Sequence, residues 1–189
     1  MKKKIGLLGG TFNPPHLGHL VIAQQVLEKA ELDEIRFLPN RVPPHKERDE
    51  TVSVEQRLRM LAEAIKGNPK FNIEKIELQR EGPSYTYDTV RALIERDPDI
   101  DYSFIIGGDM IEYLPKWFRI EELIDMVHFI GVNRPAYSHQ TPYDMRFVEV
   151  PSLSISSSYI RESVKENRSI RYLVTDEVYR IIKEEKLYG

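Results

Sequence analysis

Two histidines, His16 and His19, close the stretch Gly9-Gly10-Thr11-Phe12-Asn13-Pro14-Pro15-His16-Leu17-Gly18-His19. Residues three apart on the first turn of a helix face the same way, so both imidazoles are set to point at one place. Ahead of them Gly9 and Gly10 carry no Cβ, which lets an anion come close to the backbone. Upstream, Ile5-Gly6-Leu7-Leu8 reads as a short apolar strand; downstream, Leu20, Ala23, Val26, Leu27 and Ala30 recur at helical spacing. A strand that runs through a glycine turn into a helix N-terminus gathers free N–H groups and the positive end of the helix dipole. The chemistry this suits is binding of a polyphosphate flanked by two imidazoles. Pro14 and Pro15 stiffen the approach, Asn13 suits a turn or cap, and Gly18 leaves room for a bulky ligand. A purely structural glycine turn, or a metal held by the two histidines, are the alternatives. The stretch has no carboxylate and the chain no cysteine to complete a metal site. Neither Gly-x-Gly-x-x-Gly nor Gly-x-x-x-x-Gly-Lys-Ser/Thr is present here.

A second candidate lies far along the chain, in Ser154-Ile155-Ser156-Ser157-Ser158-Tyr159-Ile160-Arg161. Several hydroxyls at a helix start can cradle terminal phosphates beside free N–H groups, and Arg161 offers a forked, permanent charge. Serines are also ordinary N-caps, and a helical arginine is commonly solvated.

The elements that must position these groups alternate between strand and helix, which argues for an α/β fold with a largely parallel sheet. Strands are expected at Glu34–Leu38, Phe71–Glu77, Tyr102–Ile106, Phe129–Val132 and Arg146–Val150. Helices are expected from Ser53, where Gln56 completes a capping box, with Leu58, Leu61, Ala62 and Ile65 inward. Others follow Gly82–Thr89 to about Arg96, at Leu123–Val127, from Ser156 to Val164 and from Thr175. A polar, proline-bearing loop spans Asn40 to Glu50. Ligands of an open parallel sheet sit beyond the carboxyl ends of its strands, where the glycine turn, Gly107-Gly108-Asp109 and Asn133-Arg134 are all expected.

With 189 residues, the chain is most simply one domain, residues 1–189, large enough for a real core. A net charge of −3 from 27 basic and 30 acidic residues gives no global basic field for nucleic acid. The absence of cysteine excludes disulfides and a cysteine nucleophile. The apolar run behind Met1-Lys2-Lys3-Lys4 is too short for a signal peptide, and no stretch approaches a membrane span, so a cytoplasmic protein is expected.

The first stretch resembles the Gly-Gly-x-Phe-x-Pro-x-His-x-Gly-His signature of the nucleotidyltransferase superfamily, and the second its Ile-Ser-Ser-Thr-x-Ile-Arg partner motif. Asn13 stands where many members carry aspartate, and Ser158 where many carry threonine. With Pro43-Pro44-His45-Lys46, Gly82–Thr89, Ile106-Gly107-Gly108-Asp109 and Lys116-Trp117, the chain resembles bacterial nicotinate-nucleotide adenylyltransferases over nearly its whole length. The resemblance implies a Rossmann-like, open, mostly parallel sheet with helices on both faces. It implies transfer of the adenylyl group of ATP to nicotinate mononucleotide, by in-line attack of that phosphate on the α-phosphorus.

It also implies roles. His16, His19 and Arg161 would be catalytic, with Mg²⁺ carried mainly by the ATP phosphates rather than by protein ligands. ATP would meet Gly9, Gly10, Thr11, Phe12, His16, His19, Lys46, Gly107, Asp109, Arg134, Ile155, Ser157, Ser158 and Arg161. Lys46 would close over the phosphates or stay a solvated loop lysine. Nicotinate mononucleotide would lie over Ser84, Thr86, Tyr113 and Trp117, while Tyr85 and Tyr87 pack. A homodimer is the implied assembly, with no nucleic-acid or membrane partner. The rivals are a pantetheine-phosphate adenylyltransferase-like enzyme and a non-catalytic nucleotide-binding regulator.

Overall fold

The computed structural model describes residues 2–40, 52–80, 82, 84–133 and 141–189. Six strands form one sheet: β1 (Lys3–Gly10), β2 (Glu34–Pro39), β3 (Phe71–Ile73), β4 (Ile100–Gly107), β5 (His128–Asn133) and β6 (Arg146–Glu149). They pair in the order β3-β2-β1-β4-β5-β6, and every pairing is parallel. The order reverses between β1 and β4, which opens a crevice at the carboxyl ends of those two strands. This is the Rossmann-like architecture.

The sheet is apolar on both faces, which is why its strands read as continuous hydrophobic runs rather than alternating ones. Leu8, Ile35, Phe37, Ile105, Ile130 and Val132 face α1 (Leu17–Lys29) in one core. Ile5, Leu7, Leu38, Tyr102, Phe104, Ile106 and Phe129 face the opposite way. There they pack with α3 (Thr86–Arg96) and the short α5 (Ile120–Leu123), behind the single-turn α4 (Gly108–Ile111). A third core joins α2 (Val54–Ile65), α6 (Ser157–Lys165) and α7 (Asp176–Glu184) through Met60, Ile160, Val178 and Ile182.

Helix starts follow their capping chemistry. Ser53 and Gln56 bond each other's backbone N–H at 3.2 and 2.9 Å. Ser156 accepts from the Tyr159 N–H and Thr175 from the Val178 N–H, so α6 and α7 begin where expected.

Three expectations need correction. The third strand ends at Ile73, because Glu74 turns out to meet Arg36 and Arg96 and Ile76–Gln79 curls into a 3-10 turn. The helix expected at Leu123–Val127 is instead the earlier α5. The inward face of α2 is Arg57, Met60, Leu61 and Ile65, with Ala62 exposed. The chain after Asn40, as far as residue 51, lies outside the described residues.

Candidate active site

β1 delivers Gly9-Gly10 to the switch point. Leu8 pairs with Ile105, so the glycines and Ile106-Gly107 leave adjacent strands at the same level. Gly107 is the N-cap of α4. The glycines do more packing than the sequence suggests. A Cβ on Gly10 would fall 3.0 Å from the Phe12 ring, so its absence lets that ring fold under the turn. Phe12 adopts φ 50, a left-handed conformation costing about 1–2 kcal/mol that its burial offsets. At 1% exposure, its side chain is core and only its backbone is left to face a ligand. Gly18 likewise makes room for a protein ring and not for a ligand: a Cβ there would lie 3.0 Å from His16 Nδ1.

His16 is the N-cap of α1 and His19 sits on its first turn. Their rings stack with centroids 3.6 Å apart, and Phe12 meets His19 edge-on at 5.0 Å. The His16 backbone N–H donates to His19 Nδ1 at 3.2 Å. A neutral His19 must then carry its proton on Nε2 and present that nitrogen as a donor. Burial lowers the His16 pKa to about 4. Burial, then the neighbouring His16, lowers that of His19 to about 3. Both rings are thus neutral donors near pH 7, and His16 Nδ1 is a buried polar atom with no partner among the described residues.

The second signature docks onto the first. Ser157 donates to the Pro14 carbonyl at 2.9 Å, and Arg161 Nη1 to the Asn13 carbonyl at 2.9 Å while Nη2 reaches Ser158 Oγ at 3.4 Å. Ile155 flanks α1, its Cβ 3.9 Å from where a Gly18 Cβ would be. The sequence reading gives Ser157, Ser158 and Arg161 to phosphate; the structure also uses Ser157 and Arg161 to hold the loop. Ser158 is exposed.

The remaining candidates line the α3 side. Trp117 packs edge-on against Phe104 and Phe129 at 5.8 and 6.2 Å, so the core-anchor role is present whatever else it does. Phe104 in turn lies under Gly9, 3.4 Å from its Cβ position. Phe118 meets Tyr85 at 4.9 Å and Tyr87 at 6.0 Å, as their expected packing role requires. A continuous path of contacts therefore joins the glycine turn to the start of α3, where Thr86 is the first helical residue. Thr89 N–H donates to the Tyr85 carbonyl, so the N–H groups of Thr86, Tyr87 and Asp88 precede the first intrahelical bond. Tyr113 is 57% exposed. Ser84 reaches the buried Glu77, which also accepts from Thr89 at 2.9 Å; burial pushes that carboxyl up to about 7. Lys46, Arg134 and the Asp109 side chain lie outside the described residues.

Comparison with known proteins now bears on this geometry. A cytidylyltransferase-like family model matches residues 7–163. The nicotinate-nucleotide adenylyltransferase of Bacillus subtilis strain 168 is 50% identical over 186 residues, 98% of each chain. The chain belongs to the nicotinate-nucleotide adenylyltransferase family. A Geobacillus thermodenitrificans relative, named as a probable enzyme of this kind, is 56% identical over 98% of this chain and 86% of its own. In fold, the chain matches Plasmodium falciparum nicotinic acid mononucleotide adenylyltransferase complexed with NaAD. The TM-score is 0.83 at 22% identity, with 98% and 97% of the two chains covered. The same protein complexed with APC gives 0.82 at 22% identity, with the same coverage. No helix of the described residues is long and apolar enough to cross a membrane.

Two buried groups that brace the glycine turn escaped sequence reasoning. Arg57, 6% exposed, bonds the Thr11 and Asn40 carbonyls at 2.7 and 3.0 Å. Tyr188, 5% exposed, bonds Asn13 Oδ1 at 2.6 Å across 175 positions of sequence. Arg57 was findable: it stands on the 57, 60, 61, 65 stripe that defines the inward face of α2.

Proposed function

We propose that this chain transfers the adenylyl group of ATP to nicotinate mononucleotide, giving deamido-NAD and pyrophosphate. The observation that carries the reading is the stacked pair of neutral imidazoles at the switch point, one with a donor fixed on Nε2. The mononucleotide phosphate arrives ionised. Its oxygen forms a bond to the α-phosphorus as the bond from that phosphorus to the leaving pyrophosphate oxygen breaks, and no proton needs to move. Catalysis then rests on positioning and on neutralising charge. His16 and His19 donate to the transferring phosphoryl oxygens, and Ser158 and Arg161, at the start of α6, hold the departing pyrophosphate. Mg²⁺ is expected to arrive held by the ATP phosphates themselves rather than by protein ligands. That ion would supply further charge neutralisation when bound.

Thr86, Tyr87 and Asp88 offer N–H donors to the pyridine substituent, with Ser84 and Tyr113 beside them and Trp117 as the wall. A carboxylate accepts from such donors. An amide brings its NH₂ against them and leaves a polar group unpaired, costing about 1–3 kcal/mol per mismatch. The test is a pyrophosphate-release assay with ATP, Mg²⁺ and, in parallel, nicotinate mononucleotide, nicotinamide mononucleotide and phosphopantetheine. The expected result is nicotinate preferred by about 10²-fold or more in kcat/KM over the amide. Equal use of the two mononucleotides would refute the specificity, and turnover of phosphopantetheine alone would refute the function. The proposal takes in a cytoplasmic homodimer that acts on small molecules; sedimentation of the purified chain checks the dimer.

A further inference from the structure

Arg57 lies one turn into α2 and points inward, on the same buried stripe as Met60, Leu61 and Ile65. Its guanidinium reaches the exits of two central strands. Nη1 bonds the carbonyl of Thr11, just past β1, and Nη2 that of Asn40, just past β2. The Asn40 N–H in turn donates to the Gly10 carbonyl at 3.1 Å. One side chain thus staples together the turn in which the glycine pair ends and its neighbour. Both acceptors are neutral carbonyls. Among the described residues, the ionisable groups felt by Arg57 are Tyr188 and Glu55; Glu55 is exposed, and burial outweighs both to lower the Arg57 pKa. A buried cation whose hydrogen-bond partners among the described residues are dipoles is costly, and the usual remedy is a carboxylate. This fold applies that remedy elsewhere: Arg36 meets Glu34 at 2.8 Å and Glu74 at 3.3 Å.

We infer that Arg57 is a positioning residue and a buried counter-charge for the ATP polyphosphate, fixing the Thr11 and Asn40 turns and lending its field without touching the ligand. The inference rests on the reading of this turn as the ATP site. Its signature is selectivity by ligand charge, because a field acts on the triphosphate and leaves a neutral nucleoside almost alone, whereas a misfolded turn harms both.

Calorimetric titration of ATP and of adenosine into the full chain, in Mg²⁺, separates these. Arg57→Met should weaken ATP by about tenfold or more while adenosine changes by less than about threefold. Arg57→Lys keeps the charge and loses the fork, so the ratio of the two affinities should stay near that of the unmodified chain even where both weaken. Arg57→Gln, which keeps a donor for one carbonyl, supplies a second neutral variant that should repeat the Met pattern. A parallel loss of ATP and adenosine affinity in the neutral variants, or no change in either, overturns the inference while the ATP reading stands. An unmodified chain that binds neither ligand overturns both.

Discussion

Two clusters of buried charge in this fold are handled in opposite ways. On the α3 face of the sheet, Glu34, Arg36, Glu74, Arg96 and Asp97 form a mesh. Arg36 meets Glu34 and Glu74, Arg96 grips Glu74 at 2.5 and 3.1 Å, and Asp97 accepts from Arg96 at 2.8 Å and from Tyr102 at 2.9 Å. Each charge there finds its opposite within the chain. Around the glycine turn the described contacts are of another kind. Arg57 bonds carbonyls, Arg161 bonds the Asn13 carbonyl, the histidines are held neutral, and His16 Nδ1 is left without a partner among the described residues. The first region is complete without a ligand. The second carries two neutral imidazoles and a buried Arg57 bonded to carbonyls, the region proposed above to receive the polyphosphate.

The comparison breaks most visibly at the histidines. His16→Ala and His19→Ala should each lower kcat by about 10²-fold or more, the scale of losing one oxyanion-type donor, with the fold intact by circular dichroism. Normal turnover in both would detach the imidazoles from the chemistry. A smaller loss is expected for Arg161→Lys. The lysine keeps the charge but cannot reach the Asn13 carbonyl and Ser158 together, so kcat/KM should fall about tenfold or more. Steady-state kinetics that match the parent would leave Arg161 as a brace only.

In the mesh the effect should move from rate to stability. Glu74→Gln strips the shared carboxylate from Arg36 and Arg96. Because Arg96 is nearly half exposed, the loss should be about 1–3 kcal/mol in urea unfolding, with kcat unchanged. A drop in kcat without a drop in stability would erase the contrast between the two regions.

How much of this was readable in the sequence depends on the distance over which the signal acts. Ser53 with Gln56, Ser156 and Thr175 announced their helices because a cap is decided within four residues. The parallel sheet and the convergence of Gly9-Gly10 on Gly107 followed from apolar runs and the rule for parallel sheets, whereas the strand order did not. Glu74 ended β3 early through partners that lie elsewhere in the chain, and alternation alone does not see them. The Tyr188–Asn13 bond joins the two ends of the sequence, and no local pattern encodes it. The expected room at Gly18 for a bulky ligand is taken by the His16 ring, a packing contact that the sequence does not display. Arg57 bonds carbonyls 46 and 17 positions away, partners that no local pattern names.

Acid unfolding offers the gentlest probe. Both imidazoles titrate below the unfolded value of 6.5, at about 4 and about 3. From pH 6.5 downward the unfolded chain therefore takes up protons that the folded chain refuses, and stability falls by at most about 1.4 kcal/mol per pH unit per group. Glu77, pushed up to about 7, opposes this, since its protonated form favours the fold as pH falls from about 7 to 4.5. Against burial, Lys3 and Arg36 hold Glu34, and Arg96 and Arg36 hold Glu74, below the ordinary carboxylate value of 4.5. Their stabilisation is present above that value and lost only at lower pH. Replacing both histidines by glutamine should flatten or reverse the slope between pH 6.5 and 4.5 and leave the steeper loss below. An unchanged slope in urea titrations would mean that the histidines are not held neutral.

The most direct measurement is an NMR titration of the His16 and His19 imidazole nitrogens, in the free chain and with a non-hydrolysable ATP analogue. Free, both rings should stay neutral to about pH 4, with the His19 proton on Nε2. With the analogue bound, phosphate anions beside the rings should raise both midpoints. Midpoints near 6.5 in the free chain, or midpoints indifferent to the analogue, would contradict the claim that these two histidines are neutral donors waiting for phosphate.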